Sequence, residues 1–207
     1  MEIVWYTAMS MDGRIASADN DLGFLETVSG SGADDFAAFI ADVDAVLVGA
    51  TTLRWLIGEG HGWPHDDLPT WLVSHDDALA ESVRPTRAPL ARVAGDLLPA
   101  IDSMERADHR RIWLAGGGSV AAQLLALDRL DEVIVTVAPT ALGSGPALFD
   151  AGNLPRRTFD LIECRSIGPA ARLRWVRASK NPGERRLGSR ADATGGDTSE
   201  GFRSSGW

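Results

Sequence analysis

Residues 113–125, WLAGGGSVAAQLL, run an apolar segment into three glycines, a serine and a stretch of small and leucine residues. The segment before the glycines, 111–115, is short, β-branched and aromatic and reads as a strand. After them Val120, Leu124 and Leu127 share one face of a helix over 118–127. A strand that ends in glycine and feeds a helix is the joint of an α/β fold, in which a largely parallel sheet is covered by helices. The same joint recurs upstream: AVLVGA (45–50) is a continuous apolar run of the kind buried on both faces, and TTLRWLIGEG follows it as a helix stopped by Gly58 or Gly60.

The flanking segments extend this pattern. IVWYTA (3–8) reads as a buried strand ended by the turn at Asp12-Gly13. Phe36, Phe39, Ile40 and Val43 recur at helical spacing and predict a helix over 33–42, with Ser31 placed three residues before Asp34 as a capping box requires. TWLVS (70–74), LARVAG (90–95) and DEVIVTVAP (131–139) are further strands, with a helix over 96–106, and HGWPHDDLP (61–69) reads as a surface loop. FDLIECRSI (159–167) and ARLRWVRA (171–178), joined by Gly168-Pro169, form an antiparallel hairpin. The expected fold is one three-layer αβα domain over residues 1–180, its mixed, mainly parallel sheet ending in that hairpin. Residues 181–207, rich in Gly, Ser and charge and poor in packing residues, are expected to be a disordered tail.

Composition narrows the function. Hydrophobic residues make up 44% and charged ones 24%, values of a globular chain rather than a disordered or fibrous one. A net charge of −9 opposes a nucleic-acid partner, which is held through clustered Lys and Arg. Cys164 is the only cysteine, so no internal disulfide and no Cys-based zinc site is available. The four histidines show no metal-ligand spacing, and no metal is expected. The N-terminus lacks a signal-peptide pattern and no segment reaches the ~20 apolar residues of a membrane span, so a cytoplasmic location and no membrane partner are expected. There is no Walker-A lysine after any glycine cluster and no G-x-S-x-G of a serine hydrolase.

In open α/β sheets ligands collect beyond the carboxyl ends of parallel strands. There Gly116-Gly117-Gly118-Ser119, without Cβ bulk and at a helix start, can take a pyrophosphate on bare backbone, or can be a tight turn. Gly49, Thr51 and Thr52 repeat the design, although the two threonines could simply cap their helix. The G-x-G-x-x-A spacing of 116–121 is not a standard dinucleotide fingerprint, because that pattern belongs to the first βα unit.

Four segments stand in the order and spacing of the dihydrofolate-reductase-like superfamily: TAMSMDGRIA (7–16), DAVLVGATTL (44–53), IWLAGGGSVAAQLL (112–125) and LDEVIVTVAPTALGSGPALF (130–149). Over about 1–178 the chain most resembles the reductase domain of the bifunctional riboflavin-biosynthesis deaminase-reductase. The resemblance implies an NADPH-dependent reductase, NADH being the alternative cofactor, that acts on a small molecule as a homodimer. Carried across, Gly116, Gly117, Gly118 and Ser119 bind the cofactor with Gly49, Thr51 and Thr52 nearby, Ser74 approaches its adenosine end, and Ala8 and Ile15 border the nicotinamide. Asp12 and the loop Gly143-Ser144-Gly145 face the substrate. Asp35 falls near the acidic residue with which dihydrofolate reductases bind the pterin, although carboxylates in a first helical turn are favoured by the helix dipole in any case. Asp12 and Asp35 are thus the two candidate catalytic carboxylates.

The reaction so implied is hydride transfer to a C=N or ring-opened ribosyl group of a pyrimidine- or pterin-like molecule, as in 5-amino-6-(5-phosphoribosylamino)uracil reductase. Two departures stand out. Ala50 occupies the position after Gly49 where many relatives carry a phosphate-binding Arg, leaving Arg54 or His75 to replace it. The deaminase half, with its zinc motif, is absent from this sequence. The alternative reading is a non-catalytic nucleotide-binding member of the superfamily.

Overall fold

A computed structural model describes residues 1–178 except 29, 31, 59, 61, 84 and 85. The expected tail and the Ser31 cap therefore lie outside the described residues. In chain order the elements are β1 (Glu2–Ser10), a 3-10 helix (Gly23–Val28), α1 (Ala33–Ala41), β2 (Ala45–Gly49), α2 (Ala50–Gly58), β3 (Thr70–Val73) and α3 (Asp77–Ser82). They continue with β4 (Leu90–Val93), α4 (Leu98–Arg106), β5 (Arg111–Gly116), α5 (Gly118–Ala126), β6 (Glu132–Ala138), β7 (Phe159–Ile167) and β8 (Ala170–Arg177).

The eight strands form one sheet in the order β4-β3-β2-β5-β1-β6-β8-β7. Pairing is parallel from β4 to β6 and antiparallel across β6, β8 and β7, which is the expected mixed sheet with its C-terminal hairpin. Successive side chains of a strand point to opposite faces, so each central strand feeds two cores. Ile3, Trp5, Leu47, Ile112 and Leu114 pack on one face against Leu97, Ile101 and Met104 near α4 and Val120 and Leu124 of α5. Val4, Val46, Val48 and Trp113 pack on the other against Phe39, Leu53 and Leu79, from α1, α2 and α3. Truncating a fully buried residue such as Leu114 to alanine should cost about 2–5 kcal/mol.

Two elements escaped the sequence reading, the 3-10 helix and α3. Each is six residues long, too short to show a helical period. What starts α3 is Asp76, whose Oδ1 accepts from the N–H groups of Ala78 and Leu79. α2 begins at Ala50, so Thr51 and Thr52 lie inside its first turn rather than ahead of it as caps. The segment read as a surface loop is anchored: Trp63 is buried and its indole N–H donates to Thr70 Oγ1 at 3.2 Å.

At the amino ends of the strands Glu132 is completely buried between Arg111 and Arg174. Arg111 also reaches Glu2 at 2.8 Å. This ionic cluster ties the neighbouring strands β5, β1, β6 and β8 together at the end of the sheet away from the glycine joints.

Candidate functional site

The three glycines at the β5–α5 joint serve different needs. Gly116 has φ +151°, and a Cβ on it would stand 2.5 Å from Thr52 Oγ1. A Cβ on Gly118 would stand 2.7 and 2.8 Å from the carbonyl oxygens of Ala147 and Leu148. Both are therefore excluded from carrying a side chain by the protein's own atoms. Gly117 is in ordinary extended conformation, φ −117° and ψ −174°, and the nearest atom to its Cβ position is 3.9 Å away. Among the described residues, chain neighbours apart, nothing comes closer than that to the space Gly117 leaves open. Gly49 explains itself by close approach, since its Cβ would meet Gly116 O at 3.1 Å and Gly117 N at 3.2 Å.

α5 starts without a side-chain cap. Its first N–H groups, at Gly118 and Ser119, have no carbonyl of a preceding turn to reach, and they carry the partial positive charge of the helix start. They open onto a cavity of about 660 Å³ at the carboxyl ends of β1 and β5. One wall is Tyr6, Thr7 and Ala8 of β1, continued by Ile15 and Ala16 from the loop after it. The opposite wall is Thr51, Thr52, Arg54 and Trp55 of α2, and the floor is Ala115 to Ser119. Eight of the ten expected cofactor residues thus line one space, and Gly49 abuts its floor.

Ser74 does not join them. Its hydroxyl is buried and turned back on the chain, accepting from Asp76 N–H at 3.0 Å, while its carbonyl accepts from Arg92. His75 is exposed and is not part of the cavity wall. Arg54 is the one cationic side chain among the described residues of that wall, and it bonds Asp76, which is not on the wall, at 3.1 Å.

The expected substrate-facing residues are placed differently. The carboxylate of Asp12 accepts from Ser10 Oγ at 2.6 Å, from Gly143 N–H at 2.7 Å and from Leu142 N–H at 3.0 Å. These bonds favour its ionised form and hold its pKa at about 2. Asp12 therefore ties the loop after β1 to the 140s loop instead of presenting a proton or an open carboxylate to the cavity. Gly145 completes the tie: a Cβ there would stand 2.2 Å from Ala16 O, and its carbonyl accepts from Arg14 Nη1 at 3.0 Å. Ser144 is exposed, and of this segment Pro146 and Asp150 reach the cavity, not 143–145.

Asp35 stands in the first turn of α1, where its Oδ2 accepts from Arg165 Nη2 at 2.6 Å and from Arg172 Nη1 at 3.0 Å. It is not on the wall of the large cavity. Arg172 was missed by the sequence reading because an arginine in an alternating strand reads as solvent-facing. Tyr6 was read as part of a buried strand and given no role; its buried hydroxyl has no partner among the described residues, and burial raises its pKa. The only signal was indirect: Arg172 and Arg174 alternate with Leu173 and Trp175, so both arginines share the face opposite those two apolar residues.

Among the described residues no group of three or more His, Cys, Asp or Glu is arranged to hold a metal, and no helix is long and apolar enough to cross a membrane.

The family model of the RibD C-terminal domain matches residues 59–173, more than half of the chain. The chain is 29% identical over 185 residues to the uncharacterized protein YwjB of Bacillus subtilis, covering 84% of this chain and 97% of YwjB. It is 29% identical over 199 residues to the riboflavin biosynthesis protein RibD of Mycobacterium tuberculosis, covering 84% of this chain but 54% of that protein, so it spans about half of RibD. Among solved structures, a pyrimidine reductase-like protein of Corynebacterium diphtheriae superposes with a TM-score of 0.61 at 18% identity, over 86% of this chain and 92% of that one. The dihydrofolate reductase of Enterococcus faecalis, complexed with NADP(H), does so with a TM-score of 0.54 at 12% identity, over 86% and 97%. The fold is dihydrofolate-reductase-like.

Proposed function

Because the chain belongs to the RibD C-terminal domain family, we propose that it is an NADPH-dependent reductase of a pyrimidine- or pterin-like small molecule, of the 5-amino-6-(5-phosphoribosylamino)uracil reductase type. The observation that carries this reading is the open side of Gly117. Its two neighbouring glycines are demanded by internal packing, whereas the space at Gly117 is approached no closer than 3.9 Å by any described residue other than its chain neighbours, and it borders a cavity of about 660 Å³. That is a cradle shaped for something that is not the protein, and bare amides at a helix start suit a pyrophosphate. A volume of this size falls within the range of small-molecule and cofactor sites.

NADPH, when bound, supplies the hydride. The chain's own contribution is to hold and orient. The Gly117–Ser119 backbone and the start of α5 take the pyrophosphate, and Thr51 and Thr52 lend hydroxyls beside it. Arg54 offers the positive charge that distinguishes NADPH from NADH, in place of the arginine that Ala50 lacks. Ala8 and Ile15 flank the nicotinamide, and Trp5 and Trp55 help exclude water. Asp12 is ionised and engaged by the 140s loop, and Asp35 is engaged by two arginines, so orientation and a dry site carry the catalysis rather than a free carboxylate. The working form is a cytoplasmic homodimer. The edge strand β7 suits self-association, because Leu161 and Ile162 are 54% and 53% exposed there.

The test is a titration of the protein with NADPH and, separately, NADH, following energy transfer from the cavity tryptophans Trp5 and Trp55 to the reduced nicotinamide. Saturable binding that favours NADPH by tenfold or more is expected, followed by single-turnover oxidation with a pyrimidine or pterin acceptor. Binding without any turnover would move the chain to the non-catalytic reading. Binding of neither nucleotide would refute the site.

A further inference from the structure

A smaller chamber of about 390 Å³ adjoins the cavity and shares Tyr6, Thr7, Ala8 and Leu25 with it. Its remaining wall brings together the start of α1, at Gly32 and Ala33, the ring of Phe36, and Thr136 and Arg172 from β6 and β8. Arg172 is only 5% exposed. Burying a guanidinium is costly unless its surroundings are arranged for it, and here they are. Nη1 donates to Asp35 at 3.0 Å, and the guanidinium lies over the Tyr6 ring at 4.9 Å. Gly32, at φ +78°, makes room, since a Cβ on it would stand 2.6 Å from Nη2.

The guanidinium is nevertheless underused. Of its five N–H donors, one bonds Asp35 and one reaches Thr136 Oγ1 at the long distance of 3.4 Å, while Nε is buried with no partner among the described residues. α1 has no side-chain cap, so the amide of Ala33 on the chamber wall adds partial positive charge. The rest of the wall is flat and apolar, formed by Phe36, Tyr6, Leu25 and Val28.

We propose that this chamber holds a flat conjugated ring bearing an anionic oxygen, as a carboxylate or an ionised ring oxygen, and that Arg172, positioned by Asp35, is the residue that recognises it. Apolar walls take the ring, and the guanidinium fork with the α1 amides takes the oxygen. Calling this occupant the molecule to be reduced rests on the reductase reading above; the chemistry of the chamber does not.

The experiment uses the full chain, 15N-labelled, without nicotinamide and then with saturating NADPH. Three probes are titrated: benzoate, its neutral isostere benzamide, and inorganic phosphate. Benzoate is expected to shift the Ala33 and Thr136 amide signals saturably, with benzamide at least tenfold weaker and phosphate silent. Arg172→Met should abolish the benzoate response while NADPH binds as before. Equal response to benzoate and benzamide, a response to phosphate alone, no response at all, or benzoate binding that survives Arg172→Met would each overturn the proposal. The benzoate–benzamide comparison on the unaltered chain decides even if the variant does not fold. Failure of NADPH to bind would refute the reductase reading and leave the benzoate result standing.

Discussion

Replacing Gly117 and Gly118 by alanine, one at a time, separates a ligand cradle from a structural turn. At Gly117 the backbone angles suit alanine and the nearest atom to the added methyl is 3.9 Å away. No atom outside its chain neighbours stands as close to the added methyl as the carbonyls at Gly118 do, so Gly117→Ala should cost less stability than Gly118→Ala. At Gly118 the methyl would stand 2.7 and 2.8 Å from two backbone carbonyl oxygens. Backbone cannot rotate aside as a side chain can, so the cost should be about 1–3 kcal/mol. At roughly 2–4 °C per kcal/mol for a chain of this size, Gly118→Ala should lower the Tm by roughly 2–12 °C and Gly117→Ala by less. Nucleotide affinity should move the other way. The Gly117 methyl occupies the open side of the cradle and should weaken NADPH binding at least tenfold, about 1.4 kcal/mol. Thermal unfolding by circular dichroism and the fluorescence titration read the two effects independently. Unchanged NADPH affinity in a stable Gly117→Ala protein would refute the cradle, and an undiminished Tm in Gly118→Ala would refute the packing argument.

Three further outcomes follow from the geometry. Arg54→Met should weaken NADPH about tenfold and NADH much less, with little change in stability because the Arg54–Asp76 pair is exposed; nucleotide titrations of the variant give the ratio. Asp12→Asn should loosen the tie to the 140s loop. Because the folded Asp12 pKa is lowered to about 2, its contribution is complete above the ordinary aspartate pKa of ~3.9, so the Tm gap between wild type and variant should vanish as the pH falls through about 2. His65 sits among the rings of Phe36, Trp63 and Trp113, and burial lowers its pKa. The unfolded chain therefore takes up the proton first, and stability should decline as the pH drops below ~6.5. His65→Phe should flatten that decline, and denaturant unfolding at a series of pH values measures it.

The joints at Gly49 and Gly116 were legible because strand and helix periods meet there with glycine between them, and that sufficed for the sheet, its helices and most of the cavity wall. What stayed hidden depended on partners far along the chain. Asp12 reads as a turn residue until the 140s loop, 131 positions away at Gly143, brings two amides to it. Arg172 reads as exposed until the start of α1, 137 positions away at Asp35, closes over it. Ser74 shows the converse: its place at a strand end was right for a ligand, but local bonds to Asp76 had already claimed its hydroxyl.

Tyr6, Thr7 and Ala8 form a party wall between the two chambers. With Leu25, these residues line both spaces. If nucleotide binding shifts that short stretch of β1, the affinity of the neighbouring chamber must change, and thermodynamic linkage makes the factor identical in both directions. Those three consecutive residues of β1 are the stretch through which a molecule in one chamber would be felt by a molecule in the other.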